Sequence, residues 1–174
     1  MSDFDLVVVG AGILGAGVAQ AAAAAGASVL LLEEREIACG TSSRSSKLIH
    51  GGLRYLETAQ FGLVRESLAE RKILLAIAPH LVRLVDFHVP IYRTTRRRPW
   101  QLRAGLSLYS ALGGFGRDSR FQKLARHEWS SLDGIATKDL QAVFRYRDGQ
   151  TDDAALTRAV VQSAVALGCE LRMP

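Results

Sequence analysis

The chain has 174 residues, 48% of them hydrophobic and 22% charged, with only four prolines, a balance that belongs to an ordered globular protein and excludes a disordered one. Lys and Arg number 22 against 17 Asp and Glu, a formal net charge of +5. The two cysteines, Cys39 and Cys169, stand far apart, which excludes a disulfide framework, gives no zinc-ligand spacing and makes a reducing, cytoplasm-facing location the default.

The acidic start MSDFD lacks the basic region of a secretory signal. No residue from Leu6 to Leu32 is charged, and by length that run would cross a bilayer. It contains five glycines, however, and opens on LVVV and closes on SVLLL around an Ala-rich stretch. A strand, a helix and a strand buried on both faces account for it better.

Gly10, Gly12 and Gly15 follow the first strand and open the helix, the context in which GxGxxG signals dinucleotide binding. The first glycine permits the tight turn, the second lets backbone approach a pyrophosphate, and the third lets helix and strand pack closely. Free N–H groups at the helix start then face the anion. The second strand ends at Glu33, placed to take the ribose hydroxyls of an adenosine, with Glu34 the neighbouring candidate. An acid there disfavours NADP. Between FAD and NAD, the position of the fingerprint at the extreme N-terminus favours a flavoprotein.

Residues 41–57, TSSRSSKLIHGGLRYLE, are too polar and too Gly-rich for a core helix. Thr41, Ser42, Ser45 and Ser46 offer hydroxyls and N–H groups to the ribityl and phosphate parts of a flavin, and Leu48 is counted with Lys47 among the cofactor contacts. Gly51 and Gly52 let backbone lie flat near the ring. Lys47, His50, Arg54 and Tyr55 then stand over it, Arg54 with a planar fork suited to a phosphate dianion.

Residues 57–78 read as one packing helix that stops at Pro79, with Phe61, Val64, Leu68 and Leu75 near helical spacing. Arg93, Arg96, Arg97, Arg98 and Arg103 then occur with no acid between them. On a helix from Pro99, Leu102, Leu106, Tyr109 and Leu112 share one face, with Trp100 at the entry. Basic residues, a tryptophan and one apolar stripe form the pattern of a helix in a membrane interface. The plain alternative is a solvated Arg-rich loop and a helix whose stripe is core. No recognised reader motif accompanies the arginines, so nucleic acid is not an expected partner. Residues 118–150 are irregular, with a strand at AVFRYRD and a turn at Asp148-Gly149. Asp152 and Asp153 then cap a helix that ends at Gly168, and CELRMP starts another strand.

GAGILGAG followed by LLLEEREIACGTSSRSSKLIHGGLRYLE, together with LAERKILLAIAPHLV at 68–82, RRPWQLRAGLSLYSALG at 97–113 and TDDAALTRAVVQSAVALGCEL at 151–171, resembles the FAD-dependent, quinone-linked glycerol-3-phosphate dehydrogenases. The string from Ser45 to Leu56 is its most specific part. Where the family usually has an Asp and then Arg-Gly after the glycines, this chain has Ala21 and Ala25.

The resemblance implies an α/β fold: a Rossmann-like FAD-binding domain of the glutathione-reductase type, D-amino-acid-oxidase-like, with part of a substrate or cap domain. Residues 1–80 would be the first part of the FAD-binding domain, 81–150 the cap segment and 151–174 the return. It implies oxidation of sn-glycerol 3-phosphate to dihydroxyacetone phosphate by hydride transfer to FAD, with a quinone as electron acceptor. In that reaction His50 is the candidate base for the C2 hydroxyl proton, Arg54 the phosphate ligand and Tyr55 a pocket wall. It also implies peripheral attachment to an anionic membrane surface, on the inner face of the cell membrane, and that the chain is the N-terminal portion of a longer enzyme. The alternatives are a non-catalytic FAD- or membrane-binding remnant, or an oxygen-using glycerol-3-phosphate oxidase or amine oxidase of the same superfamily.

Overall fold

A computed structural model describes residues 3–174. In chain order the elements are β1 (Leu6–Val9), α1 (Ile13–Ala24), β2 (Val29–Leu32), β3 (Leu48–Ile49), α2 (Phe61–Ile77), β4 (Val82–Tyr92) and α3 (Pro99–Leu112). They continue with β5 (Phe121–Lys123), β6 (Leu140–Thr151), α4 (Asp153–Ala166) and β7 (Glu170–Arg172), and a 3₁₀ turn over Leu53–Thr58 precedes α2. Up to Lys47 and again from Thr151 the chain forms one compact unit, and Leu48–Gln150 forms a second.

The first unit is α/β. Its sheet has the order β1-β2-β7 and is parallel throughout, with Leu6 opposite Val29 and Leu30 opposite Glu170. Parallel neighbours need a crossover, and α1 supplies the one between β1 and β2. Its alanines explain how closely it can pack. Ala16, Ala19 and Ala23 are buried and share one core with Val29, Leu31, Val161 and Ala164, because small side chains let the backbones of α1 and α4 approach. Gln20 Nε2 donates to Ser163 Oγ across the same helix pair at 2.8 Å. The uncharged run from Leu6 thus supplies Ala16, Ala19, Ala23, Val29 and Leu31 to a packed core, and among the described residues no helix is long and apolar enough to cross a membrane.

In the second unit the sheet order is β3-β6-β4, and β5 also pairs with β6. The β3–β6 and β5–β6 ladders are antiparallel, with Ile49 opposite Gly149 and Phe121 opposite Tyr146. Four sequence expectations change here. The boundary expected after residue 80 falls inside this unit, because α2 packs on α3 and on the Leu53–Thr58 turn. The helix expected from residue 57 starts at Phe61, since Ala59 is left-handed with φ +54° and interrupts the turn before it. Asp148-Gly149, expected as a turn, lies within β6, where Gly149 is required: a Cβ there would come 2.8 Å from the Ile49 carbonyl oxygen. Val82–Tyr92, not assigned from the sequence, is a strand that carries Pro90 at the outer position of the β3-β6-β4 order, where a missing N–H is tolerated.

A fifth change concerns α3. Its stripe is core: Leu102 and Leu106 pack with Ile91, Ala142 and Phe144, and Tyr109 packs with Val64 and Leu68. The apolar face on which a membrane-interface helix would rely is thus used inside the unit. Trp100 and the arginines around it remain exposed.

If the stripe is core, Leu106→Ala should cost about 2–5 kcal/mol of stability. Leu108→Ala, on the 40% exposed side of the same helix, should cost less than about 0.5 kcal/mol. Urea denaturation of the two variants measures the difference.

Candidate cofactor and substrate site

The nucleotide end of the site is built by the first unit. β1 leads into Gly10, whose φ of +98° makes the turn, and the Gly10 N–H donates to the Leu32 carbonyl at 2.7 Å. Gly15 sits one turn along: a Cβ there would fall 2.0 Å from the Gly10 carbonyl oxygen, so any side chain pushes α1 away from the strand end. Gly12 is the N-cap of α1 with no side-chain cap, and a Cβ on it would meet Ser42 Oγ at 3.1 Å. The α1 N-terminus therefore has no cap from its own N-cap residue, and its acceptors come from other segments. The Ala11 N–H donates to Glu33 Oε2 at 2.7 Å and the Ile13 N–H to Ser42 Oγ at 2.8 Å.

Glu33 also accepts the Arg35 N–H at 3.0 Å. The Ala11 and Arg35 amides, in that order, hold its carboxyl below the ordinary range, so it is an anion at neutral pH. An ionised carboxylate has about four acceptor positions, so acceptor capacity remains for a ribose hydroxyl. Gly10, Gly12, Glu33, Cys39, Thr41 and Ser42 line one cavity of about 340 Å³. A glycine turn leading into a helix N-terminus and a carboxylate for vicinal hydroxyls, lining one concavity, fit the phosphate and adenosine parts of a dinucleotide. Cys39, whose Sγ lies 3.9 Å from Glu33 Oε1, also lines this cavity.

The rest of the Ser-rich segment is tied to α4. The Ser45 N–H donates to Asp153 Oδ2 at 3.0 Å and Lys47 Nζ to Asp153 Oδ1 at 2.5 Å, while Ser45 Oγ accepts the Lys47 N–H at 3.0 Å. Lys47, expected beside the flavin, is thus taken up by an ion pair; Ser46 is exposed. Capping at α4 falls to Asp152, which accepts the Ala155 N–H at 3.0 Å. Asp153 does a different job: its carboxylate organises a segment more than 100 residues earlier.

The second unit holds the remaining candidates. Leu48 is half-buried in β3, opposite Gln150. His50 is exposed just beyond β3, and its ring centroid lies 6.3 Å from that of Tyr55 at an interplanar angle of 57°. The Arg54 guanidinium lies over the Tyr55 ring, 5.4 Å from its centroid, a cation–π contact. His50, Tyr55 and Arg54 are therefore neighbours in that order. Arg54 also lines a cavity of about 420 Å³ with Val89, Arg97, Gln101 and Tyr146, beside an ion pair between Glu57 and Arg97.

A parallel β-α-β unit with this glycine turn and terminal acid agrees with the comparison of the chain with known families, in which residues 5–173 match the profile described as "FAD dependent oxidoreductase". The chain belongs to this family. It is 44% identical over 171 residues to the "Aerobic glycerol-3-phosphate dehydrogenase" of Escherichia coli (strain K12), covering 98% of this chain and 33% of that one. It is 47% identical over 163 residues to the "Glycerol-3-phosphate dehydrogenase" of Pseudomonas tolaasii, covering 94% and 30%. The chain thus spans about a third of the length of these relatives. Among solved structures, the glycerol-3-phosphate dehydrogenase from Bacillus halodurans complexed with FAD matches 99% of this chain and 26% of that chain, with 27% identity and a TM-score of 0.66. The L-alpha-glycerophosphate oxidase of Mycoplasma pneumoniae with FAD bound, at 18% identity and a TM-score of 0.72, shares the fold.

The Lys47 ion pair, followed by hydrogen bonds from Ser45, holds the Asp153 carboxyl far below its ordinary value of 3.8. A depressed folded-state pKa contributes stability that is fully present above the unfolded pKa and is lost as pH falls through the folded one. Asp153→Asn should therefore lower thermal stability most at neutral pH, with the gap to the parent narrowing below about pH 4. Melting curves at pH 7 and pH 3 test this.

Proposed function

We propose that the protein of which this chain is part oxidises sn-glycerol 3-phosphate to dihydroxyacetone phosphate and that this chain holds its FAD. The observation that carries the reading is the cradle around the α1 N-terminus, where Gly10 and Gly12 of the glycine turn, the carboxylate of Glu33 and the hydroxyl-bearing Thr41 and Ser42 line one cavity. The substrate assignment is supported by the names of the relatives that match nearly the whole chain at 44–47% identity.

FAD supplies the acceptor for the hydride that leaves C2 of the substrate. The side chains of this chain supply binding and proton handling. Arg54 offers its guanidinium edge to the phosphate, bidentate if both N–H groups of one edge are used. Tyr55 supports that guanidinium from below by stacking. His50, whose ring also neighbours Tyr55, is the base that takes the C2 hydroxyl proton, so that loss of hydride and proton yields the ketone. In the first unit, Gly10, Gly12 and Gly15 keep the backbone close to the pyrophosphate, Glu33 takes ribose hydroxyls, and Thr41, Ser42 and Ser45 offer hydroxyls to the phosphate and ribityl parts.

On this reading the electrons leave to a quinone, and the protein attaches peripherally to the inner face of the membrane. The support for attachment is narrower than the sequence pattern alone offered. It rests on exposed Arg93, Arg96, Arg98 and Arg103 with Trp100, which is 69% exposed, because the stripe of α3 is interior. Co-sedimentation with anionic vesicles that weakens with added salt would support it.

The decisive test is anaerobic addition of glycerol 3-phosphate to the full-length flavoprotein: the reading requires bleaching of the flavin, and a yellow protein that stays yellow overturns it. Arg54→Ala should raise KM for glycerol 3-phosphate roughly 10- to 100-fold, the equivalent of one charge-assisted contact, with a smaller change in kcat. Steady-state kinetics with the quinone analogue held saturating measures both.

A further inference from the structure

Between His50 and Arg54 the backbone passes through Gly51, and Gly51 is gripped. Its N–H donates to both oxygens of the Asp148 carboxylate, at 3.0 and 3.3 Å. A Cβ on Gly51 would lie 2.1 Å from Tyr109 Oη and 2.5 Å from Leu68 Cδ2, so the backbone is pressed against α2 and α3 with no slack. Asp148 is itself 2% exposed and is held by Arg71, which is fully buried. Arg71 Nη1 donates to Asp148 Oδ1 at 2.6 Å and to Tyr109 Oη at 3.0 Å, and Nη2 donates to the Asp118 carbonyl at 2.9 Å. The Asp118 carboxylate is a second acid at 3.6 Å.

This is more than a buried pair needs for its own sake. Arg71 Nε has no hydrogen-bond partner although it is buried, so the guanidinium is not placed to satisfy all its own donors. It is placed where its Nη1 meets the one carboxylate that also takes the Gly51 amide. Gly52 follows with φ +73° and opens the Leu53–Thr58 turn that carries Arg54 and Tyr55. The residue proposed to take the proton thus lies immediately before the gripped amide, and those proposed to hold the phosphate lie just after it.

We propose that Asp148, oriented by Arg71, is a positioning residue for the oxidation step: it fixes the Gly51 amide and thereby the separation of His50 from the Arg54–Tyr55 stack. The inference rests on the roles assigned above to those three residues. A group displaced by about 1 Å loses much of the advantage of pre-orientation, on the order of 100-fold in rate.

The test uses the full-length, FAD-loaded protein. Asp148→Asn keeps the shape and one acceptor but removes the charge that orients Arg71. Should the unpaired guanidinium prevent folding, Arg71→Met/Asp148→Asn removes both charges together and asks the same question. Either variant, assayed below its melting temperature with full flavin content, should reduce flavin with glycerol 3-phosphate at least 10-fold more slowly than the parent. Arg71→Lys, which keeps a cation against Asp148, should retain more of the rate than Arg71→Met.

Leu140→Ala, in a separate core cluster with Leu124, Trp129 and Val143, supplies a comparably destabilised protein whose flavin reduction should stay within twofold of the parent. Rates within twofold in the folded Asp148 variants, or an equal loss in Leu140→Ala, overturn the proposal. Hydrogen exchange of the Gly51 amide gives a readout without turnover: it should accelerate at least 10-fold in Asp148→Asn, and unchanged protection overturns the clamp. A parent protein that fails to bleach with glycerol 3-phosphate counts against the substrate assignment, while the exchange measurement still judges the clamp.

Discussion

A guanidinium shut away from water must be matched inside the fold, and in the second unit that requirement organises everything around it. Arg71, with no exposed surface, can be tolerated on α2 only if acceptors are brought to it. They come from three other places: Asp148 on β6, Tyr109 on α3 and the backbone of Asp118. Burial drives the Tyr109 hydroxyl well above its ordinary pKa, so it stays protonated and its neutral oxygen accepts a hydrogen bond from Arg71 Nη1. Gathering these partners leaves no room for side chains at Gly51 or Gly149, where an added Cβ would strike Tyr109 and the Ile49 carbonyl.

The first unit meets its electrostatic problem with backbone rather than side chains. The N-cap of α1 is a glycine with no capping side chain, and the first turn holds no acid, so acceptors for its amides come from elsewhere. Glu33 and Ser42 stand in as acceptors for two amides at the turn and helix start. Because the glycines at 10 and 15 are dictated by a turn and by a 2.0 Å approach, this arrangement is written into a short span of chain.

That contrast explains what could be read from the sequence. The β1-α1-β2 unit was legible because its signals are local: glycine spacing, an uncharged apolar run and an acid at the strand end. The span of α3 was legible too, from Pro99 and a helical apolar period, yet the destination of its stripe was not. An apolar face has the same pattern whether it meets a core or a membrane, and only Ile91, Ala142 and Phe144, supplied by two strands, decide for the core. β4 escaped notice because Pro90 argues against a strand until its outer place in the sheet order is known. Asp148-Gly149 looks like a turn by residue type, but its partners, Ile49 and Arg71, lie far earlier in the chain. Lys47 and Asp153 are 106 residues apart, and no periodicity connects them.

The same division separates chemistry from geometry. The residues proposed to act on substrate, His50, Arg54 and Tyr55, fall within six positions and are recognisable by type. What fixes their mutual placement comes from α2, α3 and β6 through one amide. A local string can therefore carry the reactive groups unchanged while a distant substitution at Arg71 or Asp148 alters how they meet. For this protein, identity within Ser45–Leu56 speaks to which reaction is attempted. How fast that reaction runs depends on whether the buried charge behind it is matched.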